Sequence, residues 1–104
     1  MKIIYIFELR HCYNYDEKMF QFYVFKNAGY DIEVWSMVNW TFKDCPVPKN
    51  ICTGDYVHYI DNESVLKNEL ERVRSESCYF LCYPYDSSYS NISFLIRKNI
   101  KLSG

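Results

Sequence analysis

The chain has 104 residues, of which 49% are hydrophobic, 19% aromatic and 24% charged, with a formal net charge of −1. That length holds one domain and leaves no room for two, and the apolar content excludes intrinsic disorder. The 12 basic and 13 acidic residues are scattered, with no cluster of Lys and Arg to track a phosphate backbone, so nucleic acid is not an expected partner.

Met1 and Lys2 lead into a short apolar run, Ile3 to Phe7, which Glu8 and Arg10 end. A secretory signal needs about 7–15 apolar residues and a small-residue cleavage site, and neither is present. A cytoplasmic location is therefore expected. The five cysteines, Cys12, Cys45, Cys52, Cys78 and Cys82, are odd in number, and reduced thiols are the default reading in that compartment. The 11 tyrosines go with a bias of composition that leaves one alanine, Ala28.

Residues 2–8 read as a strand covered on both faces, because the run is β-branched and aromatic without alternation. A polar loop follows over 9–14. Asp16 and Glu17 then open a helix, where acidic side chains suit the positive end of the dipole, and Asn14 is the better cap by type. Met19, Phe20, Tyr23, Val24 and Ala28 recur at helical spacing, and Gly29 is the expected stop. Residues 31–38 alternate polar and apolar, the pattern of a half-buried strand.

Residues 39–55 are irregular, broken by Pro46 and Pro48. Tyr56 to Ile60 fits a short third strand. Asp61 or Asn62 caps the next helix, with Val65, Leu66, Leu70 and Val73 as its apolar stripe. Cys78 to Tyr83 is a compact apolar strand ended by Pro84. Ser87 or Ser88 opens a last helix carrying Ile92, Leu95 and Ile96. The order β-α-β-β-α-β-α predicts an α/β fold: a Rossmann-like three-layer sandwich with a mostly parallel sheet of about four strands. The chain stops where another strand would begin, so it is expected to be the N-terminal half of a longer protein, with residues 1–104 forming one domain. An uncovered sheet edge is otherwise a liability.

In such a sheet the ligand crevice lies beyond the carboxyl ends of the strands, where strand order reverses. If the first and fourth strands are neighbours, two loops meet there: Glu8 to Asn14, and Pro84 to Ser88. Glu8, Arg10 and His11 are suited to orienting an anionic or sugar-like ligand, with helix N-termini facing the same crevice. The alternative is that Arg10 pairs with Glu8 or Asp86 and that His11 is solvated. His11-Cys12 makes a poor nucleophile pair, since adjacent residues rarely present side chains to each other. Neither Cys78-x3-Cys82 nor Cys45-x6-Cys52 has zinc-site spacing, and Cys78 and Cys82 read as small buried hydrophobes. With three glycines and no glycine-rich turn after the first strand, no dinucleotide, and no other cofactor or metal, is expected.

The strand Lys2-Ile3-Ile4-Tyr5-Ile6-Phe7 and the segment Phe25-Lys26-Asn27-Ala28-Gly29-Tyr30-Asp31-Ile32-Glu33-Val34-Trp35-Ser36 resemble the opening of two-domain nucleotide-sugar glycosyltransferases of the GT-B architecture, of the kind that build bacterial cell-surface polysaccharides. Asp55-Tyr56-Val57-His58-Tyr59 and Cys78-Tyr79-Phe80-Leu81-Cys82-Tyr83 are placed as that family places its third and fourth strands. Where the family often carries a Gly-Gly loop, this chain has Arg10-His11-Cys12.

The resemblance implies the acceptor-side domain of such an enzyme, inactive alone. His11 would be the base toward the acceptor hydroxyl. Glu8, Arg10, Asn14, Tyr85, Asp86 and Ser87 would contact the acceptor. The implied partners are a glycan or lipid-linked sugar acceptor and a C-terminal donor-binding domain or separate donor-binding chain, at the inner face of the membrane. The competing expectation is a non-catalytic α/β binding or regulatory module that pairs, with a second copy or another chain, through its open sheet edge.

Overall fold

A computed structural model describes residues 1–43 and 46–83. Eight elements follow in order: β1 (Lys2–Phe7), α1 (Asn14–Met19), α2 (Phe22–Asn27), β2 (Asp31–Ser36), α3 (Val38–Thr41), β3 (Val57–Tyr59), α4 (Glu63–Val73) and β4 (Cys78–Tyr83). The four strands form one sheet in the order β3-β2-β1-β4, and every pairing is parallel. The fold is thus a small Rossmann-like α/β domain, as the alternation of elements predicts. The last helix expected from the sequence, beginning at Ser87 or Ser88, lies outside the described residues.

Two apolar layers hold the sheet. On one face Ile4, Ile6 and Trp35 pack with Ile60 and with Leu66, Leu70 and Val73 of α4. On the other, Ile3, Tyr5, Phe7 and Val34 pack with Phe22 of α2, Cys12 and Cys52. β1 is buried on both sides because it is central, which is why its sequence runs without alternation. β2 departs from the half-buried strand expected of it: from Glu33 to Ser36 every residue is buried. Its polar positions are covered because helices or loops lie over both faces.

The first helical segment also differs from expectation. A single helix is replaced by two of six residues each, joined at Phe20-Gln21, where Gln21 takes φ 57°. A left-handed residue resets the helical phase. Phe22 therefore turns inward, while Met19, Tyr23 and Val24 of the anticipated stripe are all about 60% exposed. Gly29 ends α2 with φ 96°, and its amide bonds to the Lys26 carbonyl. α4 forms as the sequence indicates. Asn62 caps it by accepting the Val65 amide at 2.9 Å, and Leu66, Leu70 and Val73 are buried.

An ionic cluster around the buried Glu33 fastens α4 to the sheet. Glu33 of β2 accepts hydrogen bonds from Lys2 of β1, from Arg72 of α4 at 2.6 and 3.2 Å, and from Trp35 Nε1 at 3.0 Å. Burial works against its charge, but the bonds from Arg72, Lys2 and Trp35 outweigh burial and hold the carboxyl down at about 2. Arg72 and Lys2 are raised in turn. Hydrogen bonding to Glu33 leads for Arg72. For Lys2, burial opposes the charge and the bonds to Glu33 and Glu76 overcome it.

Candidate functional site

The strand order makes β1 and β4 neighbours, with β2 on the other side of β1. The chain therefore reverses its direction of growth at β1, and the loop leaving β1 is where such sheets take ligands. This loop, residues 8–13, is tied down on two sides. Thr41 of α3 donates its hydroxyl to the Glu8 carbonyl at 3.2 Å. On the other side, Tyr13 and Ile51 form an antiparallel bridge, flanked by Asn14 N–H to the Asn50 carbonyl (2.8 Å) and Cys52 N–H to the Cys12 carbonyl (2.9 Å).

Arg10 organises the loop. Its Nη1 and Nη2 donate to the two oxygens of Asp16 at 2.8 and 2.7 Å, the bidentate geometry that suits a guanidinium. Nη1 also donates to the His11 carbonyl at 2.9 Å. The guanidinium lies within 6 Å of the ring centres of Phe7, Tyr13 and Tyr15, and the two tyrosine rings stack in parallel. Asp16 is fully buried and accepts the Tyr13 amide as well, at 2.6 Å. It thereby satisfies an otherwise unpaired amide at the start of α1. Asn14 is the N-cap expected by residue type, but Tyr13 occupies that place. Asn14 is instead the first helical residue, exposed to solvent.

His11 is the unusual member. The polar loop around it allows a solvated side chain, yet it is 3% exposed, and its Nε2 is buried without a hydrogen-bond partner. Burial lowers its pKa, so the ring is neutral at pH 7. Ser36, at the carboxyl end of β2 and beside Phe7 in register, likewise has a buried hydroxyl with no partner. Glu8, directly after β1, is buried too. Native proteins leave few such groups unpaired, so two at the carboxyl ends of adjacent strands mark this end of the sheet. Sequence reasoning picks out Glu8, Arg10 and His11. It misses Asp16 and Ser36, whose significance comes from what the fold places around them. Tyr85, Asp86 and Ser87 lie outside the described residues.

Two other places could hold a ligand. Glu33, His58 and Glu69 lie close enough to share an ion. However, the Glu33 oxygens are already taken by Lys2, Arg72 and Trp35, and Arg72 also bonds Glu69. Two fixed cations there oppose a third, so the cluster reads as structural. A cleft of about 280 Å³ runs beside α2 and the start of β2, lined by Glu17, Phe22, Tyr23, Lys26, Asp31, Ile32 and Tyr56. Its lining does not include His11.

Among the described residues no helix is long and apolar enough to cross a membrane. In comparison with known proteins, no family model matches the chain, and neither a curated protein nor a solved structure matches it.

Proposed function

We propose that this chain is the acceptor-side domain of a sugar-nucleotide-dependent glycosyltransferase of two-domain type, completed by a donor-binding domain or subunit and inactive without it. The observation that carries the reading is the His11 imidazole at the carboxyl end of β1, neutral, buried and with Nε2 unpartnered. A neutral ring nitrogen can take the proton of an acceptor hydroxyl as that oxygen attacks the sugar carbon of a donor. An acceptor hydroxyl on Nε2 would also supply the missing hydrogen bond. In this reading Arg10 is a positioning residue, since its fork is engaged on Asp16 and its carbonyl contact fixes the His11 backbone. The acceptor is a glycan or lipid-linked sugar, met at the inner face of the membrane.

The test is transfer of labelled sugar by the protein at its native length, purified from its source cell, across a panel of nucleotide sugars with glycan and lipid-linked acceptors. His11→Ala is expected to cut kcat by about 10²–10⁴-fold, the usual contribution of a general base. A folded His11→Ala variant with full activity would remove His11 from the chemistry. Failure of every donor and acceptor to react would sink the reading as a whole.

A second reading, a non-catalytic module that associates through its sheet edge, is favoured by β4. Tyr79 and Leu81 of this strand are 58% and 44% exposed, and β1 is its one ladder partner among the described residues. A native-length mass near 12.6 kDa, with dimers in sedimentation and no transfer activity, would select it.

A further inference from the structure

Cys12 and Cys52 face one another across the contact that closes the β1–α1 loop. Tyr13 bridges Ile51 in antiparallel sense, and the Cys52 amide bonds the Cys12 carbonyl at 2.9 Å, so the register sets Cys12 opposite Cys52. Residues opposed in this way have Cα atoms about 4.5–5.5 Å apart. That spacing falls inside the range of about 4.4–6.8 Å that a disulfide spans without backbone movement. The two Sγ atoms are 3.6 Å apart, and both side chains are buried, 3% and 2% exposed. The sulfurs have other company: Cys52 Sγ lies 3.4 Å from the Tyr13 carbonyl and 3.6 Å from Glu17 Oε1, which also accepts the Tyr56 hydroxyl at 2.7 Å.

We propose that Cys12 and Cys52 are a redox clasp: they close reversibly into a disulfide by exchange with a low-molecular-weight disulfide, and the bond locks the His11 loop onto the 50–52 segment. One cysteine, as thiolate, attacks a sulfur of the small disulfide and expels one small thiol. The second thiolate then displaces the other, forming the Cys12–Cys52 bond. Two protein thiols are oxidised, one small disulfide is reduced to two thiols, and the two protons leave with them.

The clasp is slow to set in the resting fold. Burial raises both thiols above their ordinary value, so thiolate is scarce, and the buried sulfurs need a transient opening of the loop to meet the reagent. Once closed, the bond spans 40 positions of chain. The lost freedom of the unfolded state shifts the folding equilibrium on the order of a few hundredfold toward the native form. His11 adjoins Cys12, so the clasp also governs how far the loop around His11 can move.

The experiment equilibrates the whole protein with graded ratios of oxidised to reduced glutathione. A mild denaturant, later diluted out, lets the loop open so that burial cannot mask the outcome. Peptide mapping by mass is expected to find one link, Cys12 to Cys52, with the loss of two hydrogens. The unfolding midpoint of wild-type protein should rise with the oxidised fraction, while that of Cys52→Ser stays level. Recovery of both cysteines as free thiols, or as separate glutathione adducts under excess oxidised glutathione, overturns the clasp, as does a link between other cysteines. The readout is a covalent bond, so it stands or falls separately from sugar transfer.

Discussion

At the level of single residues, the structure is governed by three titratable groups that the sheet or loop has enclosed. Asp16 has no contact with solvent and answers Arg10 and the Tyr13 amide at once. Asp16→Asn keeps the size but gives up the charge that Arg10 faces. Its expected cost is about 2–4 kcal/mol in urea unfolding, because a guanidinium is left half-buried without its partner. Glu33 sets the acid limit. Its folded value near 2 lies below that of an unfolded glutamate, so its stabilising effect is full above about pH 4.3. That effect is lost as pH falls toward 2. The expected loss is roughly 1–3 kcal/mol, in the lower part of that range because Arg72 is 41% exposed and partly screened. Unfolding curves of wild type and Glu33→Gln between pH 2 and 5, in steps of about half a unit, will show it: the variant's stability should lack this slope.

His11 works with the same sign by a different route. Its folded value is lowered, so between that value and about 6.5 the unfolded chain binds a proton that the folded chain refuses. Stability is thus expected to drop as pH falls below about 6.5 and to level off once the buried ring also protonates. His11→Gln should abolish that segment of the profile. A wild-type profile flat from pH 7 to 5 would contradict the burial of the ring.

At the level of elements, the junctions are more telling than the helices. The break at Gln21 costs the chain a left-handed non-glycine residue. Gln21→Gly is expected to stabilise by about 0.5–1 kcal/mol, measured by thermal unfolding, since glycine adopts that φ without strain. Gly29 is the converse: nothing lies within 4 Å of the place a β-carbon would take, so Gly29→Ala is opposed by its φ of 96° alone. A loss of about 1 kcal/mol is expected. In α4, Leu66 is fully buried in the apolar layer between the helix and the sheet, and Leu66→Ala should cost about 2–5 kcal/mol through the cavity it opens.

At the level of the whole molecule, function depends on which loops the sheet order brings together. With β1 between β2 and β4, the buried Glu8 directly follows β1, Ser36 ends β2 beside it, and His11 lies in the loop beyond, with His11 and Ser36 each holding a buried polar atom that has no hydrogen-bond partner. The α4 face, by contrast, spends its charges on itself. That division separates a face that holds the domain together from an end that has bonding capacity left over, and it is why the proposal of sugar-acceptor binding rests on the β1 end.

The sequence by itself determined the elements whose signal is local. β1, α4 and β4 were legible because continuous apolar runs, β-branched in β1 and aromatic-rich in β4, and a four-residue apolar spacing need no partner to be recognised, and Gly29 was legible because a positive φ favours glycine. It also pointed to Glu8, Arg10 and His11 as the loop of interest. Only the tertiary structure decided the rest. In β2 the stretch from Glu33 to Ser36 is buried, and Arg72, 39 positions away, neutralises the Glu33 carboxylate there. An expected continuous helix broke at Gln21, which set Phe22 rather than Tyr23 into the core. His11 is buried although its loop is polar enough to be solvated, and residues 50–52, some 40 positions on, bond to the adjoining residues 12–14. Burial and charge pairing depend on distances between segments remote in the chain, and local composition does not encode those distances.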